Sequence, residues 1–303
     1  MTTIRQPTAT MRVTPHRAPF AWGKLAVHLL LALTGLACII PMLLVVSVSL
    51  SDERAIARQG YSLLPRGFTP HAYTYILQQP QQILQAYGVT ILITTLGTLA
   101  GLLVCALLGY ALSRKDYKFR MVLSFYVFFT LLFSGGIVPF YILMTRYLGL
   151  KDNILALILP YLVTAWYVLI LRTSFAQLPV ELLDAARIDG AGEWRIFFQI
   201  VLPLSKPVLA TVSLFFILRF WNDWLLALLF INTGTLYPLQ YLLYVLMANI
   251  NFLASNPNTT GVPIPAQSAR MAMAVLAFGP ALFAFLLLQK YFVRGITIGG
   301  LKG

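Results

Sequence analysis

Charge disappears from this chain in long stretches. No Asp, Glu, Lys or Arg occurs in residues 25–51, 121–145, 153–171 or 271–289. A helix needs about 20 mostly apolar residues to cross the hydrocarbon core of a bilayer, and each run reaches or approaches that length. Residues 83–112 form a fifth run, with the spanning part expected to begin near Tyr87. One more, residues 207–231, the fifth span in chain order, carries Arg219 and Asp223 inside it. Membrane barrels show short alternating segments instead of unbroken runs. The pattern therefore predicts an all-α integral membrane protein, a bundle of about six transmembrane helices.

Small residues and proline mark the expected irregularities. Pro41 is a kink candidate in the first span. Gly97 and Gly101 form a small-xxx-small pair in the second and permit close helix contact. Gly135, Gly136 and Pro139 should weaken or bend the third near one end. Residues 52–82, with Pro65, Gly67, Pro70 and a glutamine-rich stretch, read as an external loop in which Tyr73 and Tyr75 anchor at the interface. Residues 232–270 form the longest external region. Its segment 237–250 is apolar but poorly placed to cross, and reads as an interfacial or re-entrant helix.

The chain has 303 residues, 59% hydrophobic and 10% charged, with a net charge of +13. Such a balance argues against a soluble enzyme. Six spans put fifteen cations on one side: Arg5, Arg12, Arg17, Lys24, Arg114, Lys115, Lys118, Arg120, Arg172, Arg187, Arg195, Lys206, Lys290, Arg294 and Lys302. The other side receives Arg54, Arg58, Arg66, Arg146, Lys151 and Arg270. The bias places both termini in the cytoplasm. It also accounts for the net charge, so no nucleic-acid partner is read from it. The first apolar run is too long for a signal peptide and reads as a retained helix. Cys38 and Cys105 fall in different spans and read as small buried hydrophobes instead of a disulfide. His16, His28 and His71 are scattered, so no catalytic or metal cluster is expected.

The segment from Phe175 to Pro207 is polar enough to face water. Pro179 can open a helix, and Glu181 and Asp184 then complement its dipole in the early turns. Asp184 and Arg187 can pair three residues apart. Leu182, Leu183 and Ala186 supply one apolar surface, while Ala185 and Ala186 keep the profile narrow. Gly190 follows the helix, where a left-handed residue is needed. A second amphipathic segment carries Trp194, Phe197, Phe198 and Val201. A short helix of this kind, joined at both ends to membrane helices, can sit in a groove of another protein and transmit its movement.

Asp184, Ala185, Ala186, Gly190, Ile200, Leu202 and Pro203 resemble, at matching spacing, the cytoplasmic signature of importer-type ATP-binding cassette permeases. That pattern is Glu-Ala-Ala, three residues, Gly, nine residues, Ile, one residue, Leu-Pro. The single departure is Asp at 184. The stretches 133–160, 220–231 and 289–303 are similar to the carbohydrate branch, the maltose-type, complex-oligosaccharide and alginate-type importers. The resemblance implies a cytoplasmic tail at 1–23 and a permease domain at 24–303, with a coupling loop at 173–206. It implies that Glu181, Asp184, Ala185, Ala186, Arg187, Asp189, Gly190, Ala191 and Gly192 couple to the motor. It also implies a second permease subunit, a dimer of ATPase subunits that hold ATP and Mg, an extracytoplasmic solute-binding protein, and a place in a bacterial inner membrane. Tyr291, Arg294 and Lys302 would add contacts to the motor or to the second permease. This chain contains no GxxxxGK[ST] phosphate loop, so it carries no cofactor of its own and ATP hydrolysis falls to a partner.

Arg219, Trp221, Asn222, Asp223 and Trp224 stand apart, because charges within a span face a cavity or pair with each other. Arg219 and Asp223 are four apart and can share a helix face. The other reading is a sugar path, with aromatic faces stacking on rings and Asn and Asp binding hydroxyls. In that reading Arg219 would attract an acidic sugar. The alternatives are an ion-coupled secondary transporter, an integral-membrane enzyme or receptor, or an importer permease of the same class for a non-sugar solute.

Overall fold

A computed structural model describes residues 22–255, 265–280 and 282. The tail at 1–21, part of the external region (256–264), most of the predicted sixth span beyond 280, and Tyr291, Arg294 and Lys302 lie outside the described residues. Every regular element within them is helical.

The first helix, Trp22–Ser49, runs unbroken through Pro41. Residues 25–42 are exposed along its whole apolar length, a surface suited to hydrocarbon. Its last turns engage the bundle: Val48 is buried, Ser47 Oγ donates to the Ser62 carbonyl at 2.8 Å, and Ser49 Oγ meets the Tyr73 hydroxyl at 2.9 Å. Tyr73 thus ties loop to helix. Cys38 is exposed and only Cys105 is buried.

Pro80–Ser113 is the central element. Its 34 residues rise about 50 Å at 1.5 Å each, well beyond a bilayer core. Ala165–Phe175 and Lys206–Trp221 pack along it, and Gly97, Gly101 and Gly109 are contact points. A Cβ on Gly97 would collide with Phe220 Cζ, and one on Gly101 would stand 2.7 Å from Phe216 Cε1. The small-residue pair therefore seats two phenylalanine rings of this same chain. Gly109 lies against backbone: its Cβ would meet Leu171 Cβ at 2.9 Å and the Arg172 nitrogen at 3.1 Å. Backbone cannot swing aside as a ring can, so Gly109→Ala is expected to force the helices apart at about 1–3 kcal/mol. Thermal unfolding in detergent checks this, and an unchanged midpoint would contradict it.

The later spans are broken. Arg120–Leu132 and Ile137–Tyr147 meet at 113°. The turn lies at Ser134–Gly135–Gly136, where Gly136 has φ 83°, a conformation that glycine adopts without a Cβ clash. The first piece rises only about 20 Å, so the third span is a short helix followed by a sharply turned one, broken where Gly135, Gly136 and Pro139 predict a bend. Leu155–Tyr161 and Ala165–Phe175 meet at 47°. The predicted fifth span divides at Asn222–Trp224 into Lys206–Trp221 and Leu225–Phe230. Among the described residues, two helices are long and apolar enough to cross alone, and up to five spans result if each bent pair counts as one.

On the side assigned to the exterior, Leu239–Ser255 is a 17-residue helix of about 25 Å. It packs through Leu239, Leu242 and Ile250 against Ile76, Ile83, Ala86 and Ala272. It starts two residues later than the predicted segment. Glu53 holds the start of the final described helix, residues 266–280. Its carboxylate accepts from the Gln267 and Ser268 amides at 2.9 and 3.0 Å and from Ser268 Oγ at 2.9 Å. Asp152 similarly receives the amides of Asn232 and Thr233, at 3.0 and 2.9 Å. Glu53 thereby caps a distant helix, and Asp152 ties its own turn to the loop that follows Leu225–Phe230.

Candidate functional site

The water-facing segment folds as Val180–Ile188 followed by Glu193–Leu204, which turns by 85° into Lys206–Trp221. Pro179 stands one position before the first helical residue, as its N-cap. The helix closes in a Schellman arrangement: the Gly190 amide donates to the Arg187 carbonyl at 3.0 Å and the Ala191 amide to Ala186 at 2.9 Å, with Gly190 at φ 79°. A Cβ at Gly190 or Gly192 would meet nothing within 4 Å. Glycine is needed at 190 for its backbone, not for space.

Burial divides the helix differently from the expected apolar surface. Leu183 is buried and Ala186 half-buried against the bundle, but Leu182 faces outward with Glu181, Asp184, Ala185 and Asp189. Ile188 is 87% exposed at the end of that outward edge. Leu182 points the other way from Leu183 because adjacent helical positions lie about 100° apart. In the second segment Phe197 and Val201 are buried, while Trp194 and Phe198 are exposed and stack with ring centroids 6.1 Å apart.

A polar network fixes the inner edge. Arg187 Nη2 donates to Glu193 Oε1 at 2.6 Å and to Asp116 Oδ2 at 2.9 Å, and Nε reaches Glu193 Oε1 at 3.1 Å. Arg187 Nη1 is 3.8 Å from Asp184, the pair expected from spacing. Arg114 holds Asp116 from the other side through two hydrogen bonds of 3.2 and 3.3 Å. The Tyr110 hydroxyl donates to Glu193 Oε2 at 2.6 Å. Partial burial pushes the Asp116 carboxyl up, but the hydrogen bonds from Arg114 and Arg187 outweigh it and hold it at about 2. At Glu193 burial also raises the carboxyl, and Tyr110 and Arg187 bring it below the usual range. The Arg187 guanidinium is pushed up, chiefly by its hydrogen bonds to Glu193 and then Asp116. The network joins the end of the central helix, the loop after it, Val180–Ile188 and the segment behind it.

Sequence reasoning missed Tyr110, Arg114, Asp116 and Glu193. One signal existed: Asp116 is the sole acid between Glu53 and Asp152, set among four cations.

The intramembrane polar group separates. The Arg219–Asp223 ion pair does not form among the described residues. The helix ends at Trp221, so residue 223 leaves the face on which 219 lies. Asp223 Oδ1 instead accepts from the Leu226 amide at 2.9 Å and starts the next helix. Asn222 Nδ2 donates to the Leu218 carbonyl at 2.8 Å. Trp221 is buried, its Nε1 donating to the Ala277 carbonyl at 2.8 Å, so it is packed in the core and not presented to a ligand. Trp224 is 40% exposed and stacks on Tyr244 at 4.9 Å. Arg219 stands over the Tyr161 ring, 4.0 Å from its centroid. It borders a cavity of about 840 Å³ opened by the Gly135–Gly136 break.

Protein LplC of Bacillus subtilis (strain 168) is 39% identical over 271 residues, which is 89% of this chain and 91% of that protein. The polygalacturonan/rhamnogalacturonan transport system permease protein YtcP of the same organism is 35% identical over 275 residues, 90% of this chain and 96% of that one. A crystal structure of a bacterial ABC transporter involved in the import of the acidic polysaccharide alginate superposes one of its chains with a TM-score of 0.78 at 26% identity. The match covers 92% of this chain and 100% of that one. Residues 18–298 match the binding-protein-dependent transport system inner membrane component family, and the chain belongs to that family of ABC importer permeases.

Proposed function

We propose that this chain forms half of the translocation path of an ATP-driven importer for sugars or oligosaccharides. It carries no ATPase activity of its own. It works beside a second homologous permease, a dimer of ATPase subunits that bind ATP and Mg, and an extracytoplasmic solute-binding protein. Both termini lie in the cytoplasm. The carbohydrate assignment draws on the relatives, whose names include polygalacturonan, rhamnogalacturonan and alginate.

The observation that carries the coupling role is the two-sided Val180–Ile188 helix. Its inner edge is locked to the bundle by Arg187, and its outer edge leaves Leu182, Ala185 and Ile188 uncovered. A groove that receives the outer edge moves the inner edge with it. Closure of the motor on ATP would favour an outward-facing bundle, and hydrolysis with product release would return it inward.

The test is a single cysteine at Ala185 in a background lacking Cys38 and Cys105, in the complete importer. A crosslink to the ATPase subunit, altered in yield by ATP, is expected. A transport-competent complex that gives none would refute the docking role.

A further inference from the structure

Arg219 is the one cation in the fifth predicted span. A charge at that depth is held only if it faces a cavity or meets a partner. No carboxylate pairs with it among the described residues. Asp223, four residues on, faces a separate small cavity beside Thr90 and Leu157, and one of its oxygens is already occupied by the Leu226 amide. Tyr161 is in electrostatic contact with both groups and stands against the guanidinium face. Cation–π contact of this kind steadies a guanidinium from its face, and beyond the donor that the Tyr161 hydroxyl engages it leaves further in-plane N–H donors. Those donors form a fork that matches a carboxylate.

The space beside Arg219 suits a ligand. At about 840 Å³ the cavity lies within the range of small-molecule sites. Thr130, Ser134 and Thr164 contribute hydroxyls to its wall, and no acidic residue lines it. The lining would therefore offer hydrogen bonds to sugar hydroxyls and one strong centre for a negative charge.

We propose that Arg219, braced on Tyr161, is a carboxylate-binding residue of the translocation path, and that the oligosaccharide taken there carries uronate groups. This rests on the permease reading above and narrows its substrate class.

The experiment is equilibrium dialysis of labelled trigalacturonate against the purified complete complex without its solute-binding protein, so that the binding protein's own preference plays no part. The neutral comparison is the same trisaccharide with its carboxyl groups reduced to alcohols. Wild type is expected to bind the acid at least tenfold more tightly than the neutral sugar. Arg219→Gln should lose about tenfold or more for the acid and leave the neutral sugar unaffected. Arg219→Lys, which keeps charge without the fork, should retain part of the preference. Equal binding of the two sugars by wild type, no binding of either, or equal losses in Arg219→Gln would each overturn the proposal. So would failure of the Arg219→Gln subunit to assemble with its partner permease, because Arg219 would then be an interface residue. Uptake by proteoliposomes with the binding protein separates the two levels. Import of neutral oligosaccharides without acid binding sinks this inference alone, whereas import of no carbohydrate sinks the function beneath it.

Discussion

Gly190→Val is expected to lower ATP-driven uptake about tenfold or more while leaving membrane insertion and the amount of assembled complex unchanged. The cause is backbone strain. Gly190 sits at φ 79°, where a β-branched residue is strained by about 1–3 kcal/mol. To relieve that strain the chain must give up the amide bonds from Gly190 to Arg187 and from Ala191 to Ala186. The last turn then frays, and Arg187 and the exposed Ile188 lose their fixed positions. About 1.4 kcal/mol of strain is a tenfold shift in the capped population. Asparagine accepts the left-handed region far better than other non-glycine residues, so the expected order of uptake is Gly, Asn, Ala, Val. Nothing lies within 4 Å of a Cβ placed there, which makes that order diagnostic. If Asn fails as badly as Val, the glycine serves close docking by a partner; if Val is harmless, the cap has no part in coupling.

Much of this molecule could be read from residue spacing, and the failures share one cause. The central helix, the small-residue contacts, the break at Gly135–Gly136 and the capping role of Gly190 are local consequences of sequence, so local rules found them. The Arg219–Asp223 pair was expected from an i, i+4 rule that holds only within an unbroken helix. The helix stops at Trp221 and a new one starts at Leu225, and the pair is lost. Trp221 was assigned to a sugar path by its company, but its indole is satisfied by Ala277, 56 residues away. Leu182 was grouped with Leu183 and Ala186 as one apolar surface because hydrophobicity alone does not say which side of a narrow helix finds a neighbour. The Asp116–Arg187 contact spans 71 positions, and no local pattern encodes it. What sequence did offer was the short helix Val180–Ile188 itself. What it withheld was the bracket that holds that helix to the bundle.

Arg187→Met should uncouple the motor from the path: uptake falls while ATP hydrolysis continues. Methionine keeps much of the length and removes the charge, so Asp116, Asp184 and Glu193 are left facing one another. Hydrogen bonds to charged groups contribute about 1.5–3 kcal/mol where water is excluded. Asp116 and Glu193 are each 54% exposed, so solvent screening brings the total to roughly 1–2 kcal/mol. That corresponds to a 5- to 30-fold change in how often the helix is correctly held. The pH dependence follows from the direction of the carboxylate shifts. Asp116, held at about 2, and Glu193, held below its usual range, are depressed in the folded protein. Their contribution is complete above the ordinary carboxylate pKa near 4 and fades as pH falls toward about 2. The stability gap between wild type and Arg187→Met should thus stay flat from about pH 8 to 5 and close only below about pH 4. Arg187→Lys, able to keep the charge but not both carboxylates at once, should fall between them. Detergent-solubilised complex melted across a pH series, alongside the ratio of uptake to ATP hydrolysed, measures both effects. A gap that closes near pH 6, or a methionine variant with normal coupling, would show that the bracket does not transmit the motor's movement.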